Sequence, residues 1–140
     1  MQITGQCHCG AISFAARIDP SKVIACHCKD CQMFSGAPLR AVVPVLAENI
    51  TLLGKPKLYM KVAESGNRRA QAFCGECGTQ LYATDPAAPK LLNIRLGCVN
   101  GRELLPPVVQ IWAQSAMPWI QSLASVPAHV QGQASAVVEP

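Results

Sequence analysis

Three thiols packed into Cys26-His27-Cys28-Lys29-Asp30-Cys31 constrain this chain more than any other stretch of it. Two further clusters, Cys7-His8-Cys9 and Cys74-Gly75-Glu76-Cys77, leave only Cys98 isolated among the 8 cysteines. The N-terminal MQITGQCHCG lacks the basic and apolar regions of a secretory signal, and no apolar run approaches the roughly 18 residues of a membrane span. The expected location is therefore the cytoplasm, with no membrane partner. Thiols stay reduced there, so closely spaced cysteines point to metal more than to a disulfide framework.

Zinc takes four tetrahedral ligands with Zn–S near 2.3 Å, which places neighbouring sulfurs about 3.8 Å apart. In an extended C-x-C the two thiols share a face and the middle residue points away, so His8 and His27 are expected to be polar loop residues and not ligands. Cys74-Gly75-Glu76-Cys77-Gly78 reads as a two-sulfur knuckle whose glycines suit a tight turn. Joining Cys7 and Cys9 to Cys74 and Cys77 gives a closed structural site. Cys26, Cys28 and Cys31 are then left as three ligands with one open position, the pattern of a catalytic zinc. Two alternatives stand beside this pairing: Cys98 closing the second site, so that both ions are structural, or Cys98 as a small buried core residue.

Around these clusters the chain reads as mainly β. Short alternating runs at Ala11–Ala15, Leu39–Val45, Leu58–Val62, Arg68–Phe73, Gln80–Ala83, Leu91–Leu96 and Val108–Trp112 are separated by turn residues such as Gly54-Lys55-Pro56 and Asn100-Gly101. A minor helix is expected over Ser115–Leu123, capped by Ser115 with Pro118 in its first turn. At 140 residues one domain is expected, spanning 1–125 and followed by a loose tail over 126–140.

Seven thiolates around two Zn²⁺ ions reduce the formal charge of +4 by three. The remaining field is too weak for nucleic acid, and at 5% aromatic residues the chain has little material for a base-stacking platform, so a nucleic-acid zinc ribbon is set aside. A three-thiolate zinc carries net negative charge and polarises water poorly, yet it can hold a substrate thiol as thiolate at neutral pH. Sulfur chemistry is therefore favoured over hydrolysis.

The three ordered clusters, with Gly5-Gln6 and Gly10 flanking the first, Ser35-Gly36-Ala37 following the second and Phe73, Gly78 and Thr79 flanking the third, resemble the glutathione-dependent formaldehyde-activating enzyme family, which includes the centromere protein V domain. The likeness runs from about Met1 to Trp119. It implies a β-tent fold of short antiparallel strands around two zinc ions, one structural on Cys7, Cys9, Cys74 and Cys77 and one catalytic on Cys26, Cys28 and Cys31. It further implies a carbon–sulfur lyase that handles glutathione, or a similar small thiol, and its formaldehyde adduct. One segment departs from the pattern: where the family usually carries Gly-Ser/Thr-Leu-Asp, this chain has Gly97-Cys98-Val99-Asn100.

Glutathione is anionic, and Lys29, Arg40, Arg68, Arg69 and Arg95 are the cations considered for its carboxylates. The alternative from another class is a non-catalytic, zinc-stabilised binding module. Homo-oligomerisation is left open.

Overall fold

The structure, a computed structural model, describes residues Met1–Glu139. Ten strands and one α-helix follow one another: β1 Gln2–Gln6, β2 Ser13–Arg17, β3 Ile24–Cys26, α1 Lys29–Ser35, β4 Arg40–Leu46, β5 Ile50–Leu53, β6 Lys57–Val62, β7 Arg68–Phe73, β8 Gln80–Thr84, β9 Leu91–Arg95 and β10 Val109–Ile111. They form a three-stranded sheet, β1-β2-β5, and a seven-stranded sheet, β10-β3-β4-β9-β8-β7-β6. The mainly β expectation holds. Neighbours run antiparallel except β3 and β10, which pair in parallel.

Alternation along the strands explains the layering. Ile3, Phe14 and Ala16 from the small sheet join Val43, Val45, Leu92 and Ile94 from the large one in a single buried core. Fully burying a side chain of this kind stabilises the fold by roughly 1.5–3 kcal/mol, so the sheets are held face to face mainly by this layer. Residues between those positions, among them Arg40, Val42, Asn93 and Arg95, face away from the core and line a cavity on the other side of the large sheet. Gly5 of β1 bridges to Val99, in the turn that follows β9. A Cβ there would lie 2.2 Å from the Phe14 ring and 2.4 Å from the Cys98 carbonyl oxygen, so only glycine fits.

Three strands, β1, β3 and β5, were not anticipated: β1 is interrupted by Thr4-Gly5, β3 runs into the second cysteine cluster and β5 has four residues. The expected helix over Ser115–Leu123 is not formed; the segment carries two 3₁₀ turns, Ala113–Ser115 and Ile120–Ser125, neither with a buried residue. Pro118 disfavours helical backbone at Met117, and no packed face sustains a longer helix. Instead the α-helix is α1, inside the second cysteine cluster. Cys28 caps it by accepting the Cys31 N–H at 3.3 Å, Asp30 lies in its first turn, and Gly36 at φ 64° ends it in the left-handed region. Seven residues with only Cys31 buried leave no apolar stripe to read.

From Val126 to Glu139 the backbone makes one isolated bridge, His129 to Val137. Pro140, the last residue of the expected tail, lies outside the described residues. No helix among the described residues is long and apolar enough to cross a membrane.

Candidate metal centres

The fold gathers the cysteines into two groups, Cys7, Cys9, Cys74 and Cys77 in one and Cys26, Cys28 and Cys31 in the other, with the sulfurs of each group lying within 4.8 Å of one another. In the first, Cys7 to Cys9 and Cys9 to Cys74 are 3.6 Å and 3.8 Å apart, close to the edge of a tetrahedron around zinc. Cys7 follows β1 and Cys74 follows β7, so the group joins the small sheet to the large one. Cys7 and Cys9 sit on a turn closed by the Gly10 N–H donating to the Cys7 carbonyl at 3.1 Å, not on extended chain. Gly78 takes φ 77° in the knuckle, as a tight turn requires, whereas Gly75 does not adopt positive φ.

Backbone donors favour thiolates here. The Ile12 N–H donates to Cys7 Sγ at 3.2 Å, and Thr79 Oγ1 lies 3.2 Å from Cys77 Sγ. Hydrogen bonds from Thr79 hold the Cys77 pKa down to about 5. Four close sulfurs with N–H and O–H donors around them form a donor set suited to zinc, in which a fourth protein sulfur completes the tetrahedron although Cys9 and Cys77 are exposed.

The second group differs on the side facing away from its three sulfurs. Cys26 ends β3 opposite Arg40 of β4, and Cys28 and Cys31 come from the cap and first turn of α1. The Arg40 Nη2 donates to Cys31 Sγ at 3.2 Å. Contact with Cys26, and then the Arg40 charge, hold the Cys31 pKa near 5, while the same sharing pushes Cys26 upward. These three sulfurs, too, suit a soft, tetrahedral ion.

Cys26, Cys28 and Cys31 line a cavity of about 500 Å³, within the usual range of small-molecule sites. Its floor is the outer face of the large sheet, and α1 and the turn joining β6 to β7 form its walls. Lys29, Arg40, Arg69 and Arg95, four of the five expected cations, line it; Arg68 is exposed elsewhere on β7. Lys61 of β6 pairs with Asp30 of α1 across one wall.

Cys98 does not join the three sulfurs. It belongs to the core between the sheets, 7% exposed, with its thiol donating to the Arg95 carbonyl at 3.0 Å. Burial pushes its pKa up to about 11. The neighbouring Asn100 ties its segment to β1 through Thr4, backbone to backbone at 2.9 Å and Nδ2 to Oγ1 at 3.0 Å. The departure at Gly97–Asn100 thus lies on the core side and not at the cavity.

His8 is exposed, as expected. His27 is not a loop residue in the expected sense: it is 1% exposed, with its Nε2 2.7 Å from Gln110 Oε1. Pairing of β3 with β10, invisible in the sequence, encloses it. Gln71, Asn93 and Trp112 also line the cavity and were not anticipated. Asn93 and Arg95, alternating with Leu92 and Ile94, were the available signal, a polar face on a strand whose other face is core. Trp112 takes φ 57° directly after β10, a left-handed conformation uncommon for a bulky residue and suggestive of a constrained site.

A match to the family described as glutathione-dependent formaldehyde-activating enzyme spans residues 2–115. The chain belongs to this family. A lyase of Schizosaccharomyces pombe whose function is uncharacterised is 33% identical over 82 residues, covering 56% of this chain and 54% of that protein. The chain therefore matches about half the length of that relative. A Halomonas elongata protein provisionally named a glutathione-dependent formaldehyde-activating enzyme is 24% identical over 127 residues, covering 86% of this chain and 81% of that protein. A crystal structure of a Rhodobacter sphaeroides protein shares the fold at a TM-score of 0.58 and 17% identity, covering 76% of this chain and 98% of that one. Family membership and the relatives' names support a glutathione-related lyase at family level.

Proposed function

We propose that this chain is a zinc-dependent carbon–sulfur lyase acting in the cytoplasm on glutathione, or a similar small thiol, and its formaldehyde-type adduct. In this reading Cys7, Cys9, Cys74 and Cys77 hold a structural zinc, and Cys26, Cys28 and Cys31 hold a catalytic one. The domain comprises residues 1–125, with 126–140 as its tail. The observation that carries the reading is the contrast on the fourth side: the three sulfurs of Cys26, Cys28 and Cys31 open onto a cavity of about 500 Å³. Zinc bound there supplies a Lewis acid that keeps a thiol ionised at neutral pH.

The chain's own residues do the remainder. Arg40 steadies the Cys31 thiolate through its N–H···S contact. Lys29 at the α1 end of the cavity and Arg69 on β7 offer cations to the thiol's carboxylates. Trp112 and Ile111 give the cavity an apolar border for the uncharged part of the substrate. In the lyase direction the carbon–sulfur bond of the adduct breaks, its electron pair returns to sulfur, the hydroxyl gives up its proton and the carbonyl is released.

Cobalt substitution tests this directly. Added glutathione is expected to change the thiolate-to-cobalt charge-transfer bands in the wild type and to leave them unchanged in Cys28→Ala. A wild-type spectrum indifferent to glutathione and other small thiols overturns the reading in favour of a binding module.

A further inference from the structure

We propose that Arg40 and Arg95 together bind a carboxylate carried by the carbonyl partner, so that the aldehyde this site handles best is a 2-oxo acid of the glyoxylate class and not formaldehyde. The inference rests on the lyase reading above and refines its substrate.

Both arginines are 6% exposed, and both line the cavity beside Cys26, Cys28 and Cys31. They are diagonal neighbours on one face of the large sheet, because Arg40 pairs with Cys26 and Arg95 pairs with Val42, two residues further along β4. Neither has a carboxylate partner: the ion pairs among the described residues are Lys22 with Asp19 and Lys61 with Asp30. Arg95 Nη2 donates to the neutral Gln71 Oε1 at 2.6 Å, and its Nε has no partner. Arg40 Nη2 contacts Cys31 Sγ, and its Nε and Nη1 have no partner.

Charge balance shows what is missing. Lys29, Arg40, Lys61, Arg69 and Arg95 face Asp30 and Glu64 across the cavity; three thiolates and a substrate thiolate around a divalent ion would add two negative charges, leaving one positive charge over. Arg95 is buried with no carboxylate partner, a costly arrangement unless a ligand completes it. Burial, reinforced by the Arg40 charge, lowers its pKa to about 9. One small monoanion neutralises the floor.

Position then decides which molecule carries it. Cys26, Cys28 and Cys31 would hold the ion and, beside it, the substrate thiol, and the Arg40 guanidinium is 3.2 Å from Cys31 Sγ. A carboxylate on Arg40 and Arg95 is therefore close to the reacting sulfur. In a 2-oxo acid the carboxylate is bonded directly to the carbonyl carbon that sulfur attacks. Glutathione's carboxylates lie several bonds further from its sulfur and reach the more distant cations. Formaldehyde offers the arginines a carbonyl oxygen but no charge. In the forward direction, the thiolate sulfur forms a bond to the aldehyde carbon and the carbonyl π pair moves to oxygen. That oxygen takes up the proton released by the thiol, giving an S-linked 2-hydroxy acid with no oxidant or reductant consumed.

The test uses zinc-loaded wild-type protein and titration calorimetry with oxamate, an unreactive glyoxylate analogue, and with neutral acetamide. Oxamate is expected to bind and acetamide not. Arg95→Gln is expected to weaken oxamate roughly 10- to 100-fold, as for loss of a charged hydrogen bond, with Arg95→Lys recovering part of it. Far-ultraviolet circular dichroism confirms that both variants are folded; should Arg95→Gln unfold, Arg95→Lys and competition between glyoxylate and oxamate in the wild type carry the test. With glutathione present, wild type is expected to favour glyoxylate over formaldehyde in kcat/KM at least about tenfold, and Arg95→Gln to lose that preference. Equal binding of oxamate and acetamide, or displacement of oxamate by glutathione alone, overturns the proposal, the latter assigning the carboxylate to the thiol. Oxamate binding that depends on Arg95, with cobalt bands indifferent to thiols, retains the anion site and rejects the lyase reading, so the two failures are distinguishable.

Discussion

The two cysteine groups are built from the same ligand and differ in what lies on their remaining side. Cys7, Cys9, Cys74 and Cys77 surround one point and join the two sheets, whereas Cys26, Cys28 and Cys31 converge from β3 and α1 and leave a cavity in front of them. In the proposed reading, a thiolate cluster is a staple when a fourth protein sulfur completes it and a site when a cavity lies in front of only three. The difference is set by neighbours: Thr79 and the Ile12 N–H stabilise one group, while the Arg40 guanidinium stabilises the other.

The sharpest way to break this comparison is to remove one sulfur from each group. Cys74→Ala is expected to abolish cooperative folding, since structural zinc supplies roughly 10–16 kcal/mol in small modules while whole domains are stable by only about 5–15 kcal/mol; circular dichroism during heating reads this. Cys28→Ala is expected to lose one zinc per chain and at least about 100-fold in activity. Its folding cost should be nearer the roughly 1 kcal/mol of a lost helix cap, measured by metal analysis and urea unfolding. If the two variants unfold alike, the distinction between staple and site fails.

A smaller effect separates the groups by ligand number. At pH 7 a chromophoric chelator is expected to remove the ion held by three sulfurs first and the ion held by four slowly, giving two phases of zinc release. Both groups contain a thiol whose pKa is held down, Cys31 and Cys77. Protons compete with the ion for sulfur, so release from both groups is expected to accelerate as pH falls.

Gly5→Ala acts where β1 packs against the turn after β9. It is expected to cost about 1–3 kcal/mol by overpacking Phe14 and the Cys98 carbonyl, without altering thiol-induced cobalt spectra. Smallest of all, Asn100→Asp removes the Nδ2 donor to Thr4 on the core side and is expected to change stability by about 1 kcal/mol and substrate preference not at all. A change in preference would mean that the Gly97–Asn100 segment communicates with the cavity.

Much of this was legible in the residues. Cysteine spacing grouped the sulfurs before any fold was known, because pairs one or two residues apart have little freedom to separate. The strands β2, β4 and β6 to β10 were legible to within a few residues from alternation and turn chemistry. Helix α1 was hidden because its cap is a cysteine and its apolar face is a single residue. His27 looked like a solvated loop residue, and only the parallel pairing of β3 with β10 buries it against Gln110.

By itself, then, the sequence determined the ligand type, its local clusters and the mainly β character, all of which depend on residues close together along the chain, whereas the meeting of Cys7 and Cys9 with Cys74 and Cys77 needed the fold. The cavity, the burial of Arg40 and Arg95 side by side and the placement of Cys98 in the core were decided by the tertiary structure. They require β3, β4, β9, β8 and β7 to lie next to one another, and that order follows from packing between residues far apart in sequence, which no local pattern encodes.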